Sequence, residues 1–373
     1  MTYLEGHILT PDGFLNGRIE FAAGRIHAVA GVPVTEEDVR TSTLPIVIPG
    51  FVDLHVHGGG GRDIMDGGDA AATVAQTHAQ FGTTSLLATT MTAPHDDLVA
   101  AFAGLASVRT NPSCLGARIL GVHLEGPYIS AKRLGAQPDF ARRLQFAELD
   151  GLNAVTPIRL ITLAPEVDGN LETIPVLIAA GYKINLGHSE ATYEQACAAL
   201  DAGAHGFTHL YNAMSGLHHR QPGVVGAALA HGHHAELIPD MLHVHPGAIR
   251  VALRSIAGLY CVTDSTAAAG MPDGEYRLGR QMVTRCMGGV RLADGTLAGS
   301  VLTMDQAFKN LVNVMEMSLA EASLRTSTLA ANFVGATDRA RLVAGCYADV
   351  VVLNRDLSIT QVFTEGRAVD LVH

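Results

Sequence analysis

A (β/α)8 barrel of the TIM type, joined to a small β-sandwich domain formed from both chain ends, is the fold class this sequence predicts. Three observations predict it. The middle of the chain alternates short apolar runs with alanine-rich stretches of helical length. Both ends carry short strands broken by tight turns. Metal-capable and acid-base side chains recur at the ends of successive strands, where barrels of this kind keep their chemistry.

The first 48 or so residues read as short strands at Tyr3–Leu9, Gly17–Phe21 and Arg25–Ala30, separated by Pro11-Asp12-Gly13 and Ala23-Gly24. The last stretch repeats the pattern at Asp349–Asn354, Ile359–Thr364 and Arg367–Leu371. The expected division is therefore 1–48 with 340–373 as the small β domain, and 49–339 as the barrel.

Within the barrel, strands are expected at Phe51–His55, Thr84–Ala88, Arg118–Leu124, Ile158–Leu163, Lys183–Gly187, Gly206–Leu210, Ala235–Ile238 and Tyr260–Thr263. Helices fit between many of them, at Ala70–Phe81, Asp96–Val108, Leu171–Ala180, Thr192–Ala202 and Gly247–Ile256, and after the last strand at Met304–Met317 and Leu319–Ala331. Repeated βα units also suit an open doubly wound sheet. No GxGxxG follows a strand here to support that alternative.

Composition excludes several functions. The net charge of −11 makes the chain a poor general binder of nucleic acid, whose phosphates need a basic surface. No apolar run approaches ~18 residues, so no membrane span is expected, and the polar N-terminus does not read as a signal peptide. The five cysteines, at 114, 197, 261, 286 and 346, never fall in CxxC spacing. That suits a reducing cytoplasm and argues against a cysteine zinc site.

His55 and His57 are the most informative pair. Residues i and i+2 of a strand share a face, so both imidazoles leave the first strand side by side, with Gly58 to Gly61 following. Two adjacent imidazoles suit a divalent metal, although a hydrogen-bonded histidine pair is the plainer reading. Four more candidates end later strands: Glu125, His188, His209 and Asp264. Singly, each has another explanation. His188 could stand at a helix N-terminus with Ser189 as cap. His209 could donate to a carbonyl, and Asp264 could shape a turn. His123, two residues before Glu125, reads best as a packing or supporting residue.

Taken together they offer two imidazoles and a carboxylate for one metal, with a spare carboxylate beside it. A His2Glu set with an open position is a catalytic zinc arrangement. His55 and His57 could join Glu125 around a second metal. A divalent metal acidifies bound water and polarises a carbonyl, and Asp264 would take the proton and pass it to a leaving nitrogen. The expected chemistry is hydrolysis of an amide. No Gly-x-Ser-x-Gly elbow or suitably placed cysteine supports a nucleophile instead.

Longer motifs sharpen this. They are Pro49-Gly-Phe-Val-Asp-Leu-His-Val-His-Gly58, His123-Leu-Glu-Gly-Pro127, Leu186-Gly-His-Ser189, Thr208-His-Leu-Tyr-Asn-Ala-Met214, Asp240-Met-Leu-His-Val-His-Pro246, Val262-Thr-Asp264 and Leu297-Ala-Gly-Ser300. In that order, over essentially the whole chain, the sequence resembles the amidohydrolase superfamily and, within it, the N-acetylglucosamine-6-phosphate deacetylases. The resemblance implies deacetylation of N-acetyl-D-glucosamine 6-phosphate to D-glucosamine 6-phosphate and acetate, in the cytoplasm, by a homodimer. It implies Glu125, His188 and His209 as ligands of the principal metal and Asp264 as the acid-base residue. For substrate it implies Ala136, Asn212, Ala213, His243, Leu297, Ala298 and Gly299. Arg220 would grip the phosphate, reaching across a dimer interface. Gln137 stands where many relatives have histidine, and its amide can still donate to a substrate oxygen.

His55 and His57 are absent from some members, so this chain is expected to hold one or two divalent ions per subunit. Zinc suits the ligands best, with iron, manganese or cobalt also compatible. No lysine stands at the strand ends to bridge two metals, which favours Glu125. Three other readings stay open: a deacetylase of another N-acetylhexosamine phosphate such as the galactosamine epimer, a cyclic-amide hydrolase, and a non-catalytic barrel. The Asn212-Ala213-Met214 run counts against the second, and the intact ligand set against the third.

Overall fold

A computed structural model describes residues 1–111 and 116–371; Cys114 lies outside them. Eight short strands follow one another in chain order: Phe51–Val56, Thr83–Thr90, Arg118–Glu125, Ile158–Leu163, Lys183–Leu186, Gly206–Phe207, His234–Leu237 and Gly258–Cys261. A helix follows each of them. The first six form one parallel sheet in sequential order, and the last two form a separate parallel pair.

Single contacts close the gaps. The Leu210 N–H donates to the Glu236 carbonyl at 2.9 Å, joining the sixth strand to the seventh. At the other seam, the Asp264 N–H donates to the His55 carbonyl and the His57 N–H to the Ser265 carbonyl, both at 2.9 Å. Thr263 Oγ1 also donates to Asp53 Oδ2 at 2.6 Å across that seam. The result is a barrel, as the alternation of strands and helices predicts. Its interior is partly polar: the Thr162 and Thr208 hydroxyls lie 2.6 Å apart, and His123 Nε2 lies 2.7 Å from Thr162 Oγ1.

The two chain ends build one seven-stranded sheet, ordered Arg367–Ala368, Ile359–Thr364, Val350–Leu353, Ile46–Pro49, Thr2–Thr10, Gly13–Ala22, Arg25–Val34. Phe21 and Phe363 lie on strands four places apart, which a flat sheet would separate by roughly 19 Å. Their ring centroids are 5.2 Å apart. The sheet therefore folds over on itself, and Ile8, Ile19, Ile26, Val47, Val350 and Val352 fill the space between its two halves.

Three features depart from the sequence reading. A three-stranded antiparallel ladder, Gly274–Leu278, Gln281–Cys286 and Gly289–Arg291, is inserted between the eighth barrel strand and the helix Met304–Asn313. Its strands are short and only partly buried, so they carry little apolar alternation. Helices also form at Phe146–Val155 and Gly223–His231; the latter starts from the left-handed Gly223 at φ 62°, an unpromising helical residue. A six-residue helix, Glu36–Thr41, is set by a reciprocal cap between Thr35 and Asp38.

Candidate metal centre

The barrel's geometry gathers the strand-end residues at one mouth. Glu125 ends the third strand, and His188, His209 and Asp264 follow the fifth, sixth and eighth. These last three have left-handed backbones, with φ of 47°, 26° and 50°. Such conformations are disfavoured for residues with a Cβ and concentrate at functional sites. Here they turn each side chain inward as the strand ends.

Glu125 sits at the centre. Its Oε1 lies 3.1 Å from His188 Nε2 and 3.0 Å from His209 Nε2, and those two nitrogens are 3.1 Å apart. Its Oε2 lies 3.1 Å from His57 Nε2, and His55 Nε2 is 3.2 Å from His57 Nε2. Two overlapping metal-capable groups result: Glu125, His188 and His209, and Glu125, His55 and His57. A third, His55 with His123 and Glu236, shares only His55.

Hydrogen bonds on the far sides of the rings test whether these residues fit a metal. The Arg133 carbonyl lies 2.8 Å from His188 Nδ1 and can only accept, so Nδ1 carries the hydrogen and Nε2 offers a lone pair. His55 Nδ1 is fixed in the same way by Glu236 Oε2 at 2.9 Å. Lone pairs thus converge on a shared carboxylate at hydrogen-bond range, and only a proton or a metal cation among them removes the repulsion. The residues fit a divalent ion in each group.

Electrostatics point the same way. Burial opposes charge on His55, yet Glu125, Asp264 and Glu236 hold its pKa well above the ordinary histidine value. His57 is pushed up to about 9 against its own burial, by Asp264 and Glu125. Burial would raise the Glu125 carboxyl, but His55, His188 and His209 hold it well below the usual range. Asp264, buried likewise, is kept ionised by His55 and His57. The site asks for positive charge, which a bound cation supplies. His123, by contrast, is lowered to about 4 by burial and by His55, and bonds Leu54 and Thr162 as a supporting residue.

A cavity of about 250 Å³ opens above these groups. Its walls include Ala136, Gln137, Asn212, Ala213, His243, Leu297 and Gly299, as well as His57, Glu125, His188, His209 and Asp264. Met91, Gly135, Leu278 and Thr296 also border it and were not foreseen; Leu278 comes from the inserted ladder.

Three expected substrate residues stand differently from the rest. Ala298 is fully buried behind the wall, its N–H bonded to the Val290 carbonyl. Gln137 holds the protein's own groups: Nε2 donates to Glu125 Oε2 at 2.6 Å, and Oε1 accepts the Thr92 N–H at 2.7 Å. Arg220 lies outside the pocket, on the exposed loop Gly216–Gln221, with Nη1 2.8 Å from His219 Nε2. His243 does face the cavity. Its Nδ1 lies 2.6 Å from Asp240 Oδ2, leaving Nε2 for a ligand. Burial would lower its pKa, but Asp240 raises it above the ordinary value.

A second cavity of the same volume lies at the opposite end of the barrel, with the Arg118–Glu365 pair in its wall. Among the described residues, none of the metal-capable groups borders it.

Comparison with known proteins places this site in a family. The pattern described as "Amidohydrolase family" matches residues 46–369. The chain belongs to the amidohydrolase family. An N-acetylgalactosamine-6-phosphate deacetylase of Escherichia coli O157:H7 is 40% identical, over 96% of this chain and 97% of its own. An N-acetylglucosamine-6-phosphate deacetylase of Vibrio furnissii is 41% identical, over 94% of this chain and 87% of its own. Among solved amidohydrolases, a mutant N-acetyl-D-glucosamine-6-phosphate deacetylase of Mycobacterium smegmatis, in complex with N-acetyl-D-glucosamine-6-phosphate, superposes with a TM-score of 0.88. It is 36% identical and covers 98% of each chain.

Proposed function

We propose that this amidohydrolase removes the acetyl group of N-acetyl-D-glucosamine 6-phosphate, giving D-glucosamine 6-phosphate and acetate. The observation that carries the reading is the convergence of Glu125, His188 and His209 beneath Asp264, in a cavity sized for a small ligand. Relatives that share the whole chain and bear that activity's name support the substrate.

Glu125, His188 and His209 would hold the principal metal, and His55 and His57 with Glu125 a second. Zinc is the first choice, with iron, manganese or cobalt as alternatives. When bound, such an ion acidifies water and polarises an acyl oxygen. Asp264 stays ionised and borders the cavity, so it accepts a proton from the attacking water and returns it to the amide nitrogen as the C–N bond breaks. His243 Nε2–H donates to the acetyl oxygen and stabilises the charge developing there. Asn212, Ala213 and the Leu297–Gly299 segment enclose the sugar.

Arg220 stands away from its own subunit's pocket, so its phosphate role belongs to a homodimer, in which it serves the partner's cavity. The same reading puts the enzyme in the cytoplasm. Among the described residues no helix is long and apolar enough to cross a membrane, and the four described cysteines are free.

The galactosamine epimer is a second reading, favoured by the similarity to the Escherichia coli relative. The two substrates differ only at the sugar 4-hydroxyl. Acetate release measured on both decides between them. A higher kcat/KM on the glucosamine compound is expected, and the reverse order would overturn the substrate assignment.

A further inference from the structure

Glu236 is a charged residue in the apolar strand run Ala235-Glu236-Leu237-Ile238, and its side chain is fully buried. Such a group needs hydrogen-bond donors and a balancing charge. The donors are present. His55 Nδ1 lies 2.9 Å from Oε2, the His209 N–H donates to Oε2 at 3.2 Å, and Asn185 Nδ2 donates to Oε1 at 3.4 Å. None of these partners is a lysine or an arginine. His123 Nδ1 stands 3.9 Å from Oε1 but is turned to the Leu54 carbonyl at 3.0 Å, so the nearer route to a balancing charge is the His55 imidazole, whose Nε2 faces His57 at 3.2 Å and Glu125 at 3.4 Å.

We propose that Glu236 is the positioning residue of the second metal. It holds His55 with hydrogen on Nδ1, so that Nε2 presents its lone pair beside His57 and Glu125. The opposite tautomer would set the Nδ1 lone pair against the Glu236 carboxylate, so the 2.9 Å contact selects one form. A carboxylate on Nδ1–H also makes the imidazole a stronger donor to a cation. Through the His209 N–H, the same carboxylate braces the backbone of a ligand of the principal metal, at the point where φ is 26°. One buried acid thereby ties the two halves of the site together. The inference rests on the metal reading above and on no particular substrate.

The test is zinc binding by the purified full chain, titrated against a chromophoric chelator, for wild type, Glu236→Gln and Glu236→Ala. Glutamine keeps an acceptor for His55; alanine removes it. Loss of a supporting partner of this kind typically weakens metal affinity by roughly 10- to 100-fold. The second zinc is expected to weaken by about that factor in Glu236→Ala and by less in Glu236→Gln, while the first, which loses only a backbone brace, weakens less than the second. Long-range 1H–15N spectra of zinc-loaded, 15N-histidine-labelled wild type give a readout that needs no variant. They should show His55 bound through Nε2 with hydrogen on Nδ1.

Unchanged affinity for the second zinc in Glu236→Ala, or His55 bound through Nδ1, would overturn the proposal. So would equal loss of both zinc ions and of thermal stability in the two variants, because that marks a purely structural residue. A wild-type chain that takes up no zinc would instead remove the metal reading itself.

Discussion

Gln137 Nε2 donates to Glu125 Oε2 at 2.6 Å, while Gln137 Oε1 accepts the Thr92 N–H at 2.7 Å. The amide is a clamp between the loop after the third strand, the end of the second strand and the carboxylate at the centre of the site. Gln137→Leu keeps the volume and removes both bonds. Glu125 then loses the partner that fixes its second oxygen, and displacement of a catalytic group by about 1 Å costs on the order of 100-fold in rate. The expected result is a fall in kcat of roughly 10- to 100-fold with a smaller change in KM. Steady-state kinetics separate the two; a rise in KM alone would show a substrate contact instead.

Asp264 Oδ1 lies 3.3 Å from His57 Nε2 and 3.4 Å from His55 Nε2, yet the side chain still borders the cavity. Asp264→Asn keeps the shape and removes the proton acceptor. General acid-base contributions of this kind are worth roughly 100- to 10,000-fold, so kcat should fall by about that factor. Metal content, read by elemental analysis, should stay at the wild-type level. Loss of the metal with the activity would make Asp264 a required ligand.

The pH dependence of substrate affinity follows from His243. Its pKa is raised by Asp240 against the effect of burial, so the ring is protonated to a higher pH than an ordinary histidine. A protonated His243 is the better donor to an acyl oxygen and attracts an anionic substrate. Affinity should therefore be greatest at low pH and decline as pH rises through that raised value. KM profiles check this: wild type should lose affinity on the alkaline side, and His243→Asn should flatten that limb.

A separate ionic cluster joins the terminal sheet to the barrel. Arg339 Nη1 lies 2.6 Å from Asp349 Oδ2, Arg339 also pairs with Glu365, and Arg118 Nη2 lies 2.6 Å from Glu365 Oε2. Arg339 and Asp349 are both buried, so Arg339→Ala leaves a buried acid unpaired and should cost about 3–5 kcal/mol. Chemical denaturation measures it. Burial would raise the Glu365 pKa, but Arg118 and Arg339 depress it below the ordinary value. Its contribution is accordingly present above the unfolded-state value and lost as pH falls through the folded one. Asp349 has the opposite sign: burial raises its pKa, Arg339 only partly offsets this, and its ionisation disfavours folding. Glu365→Gln should therefore weaken the acid sensitivity of the midpoint.

The strand-end residues were legible because strand geometry is local. His55 and His57 share a face by alternation, and Glu125, His188, His209 and Asp264 each close an apolar run. What brings them together is not local. His55 and Glu236 are 181 positions apart, and only barrel closure makes them partners. A lone glutamate inside an apolar strand was the available signal for Glu236. The left-handed backbones at His188, His209 and Asp264 left no mark in composition, since none is glycine. The inserted ladder was hidden by its short, half-buried strands, and with it the Leu278 wall of the pocket. Gln137 was expected at the substrate from the resemblance alone; it does border the cavity, but its bond to Glu125 depends on how the intervening loop folds back and left no signal in the sequence.

Acetate release from N-acetyl-D-glucosamine 6-phosphate, followed before and after metal removal, tests the central claim most directly. The purified chain should release acetate and D-glucosamine 6-phosphate in equal amounts, lose that activity when a chelator strips the metal, and recover it when Zn2+ is returned. Undiminished turnover by a protein shown to contain no metal, or no acetate from the metal-loaded chain, would contradict the account.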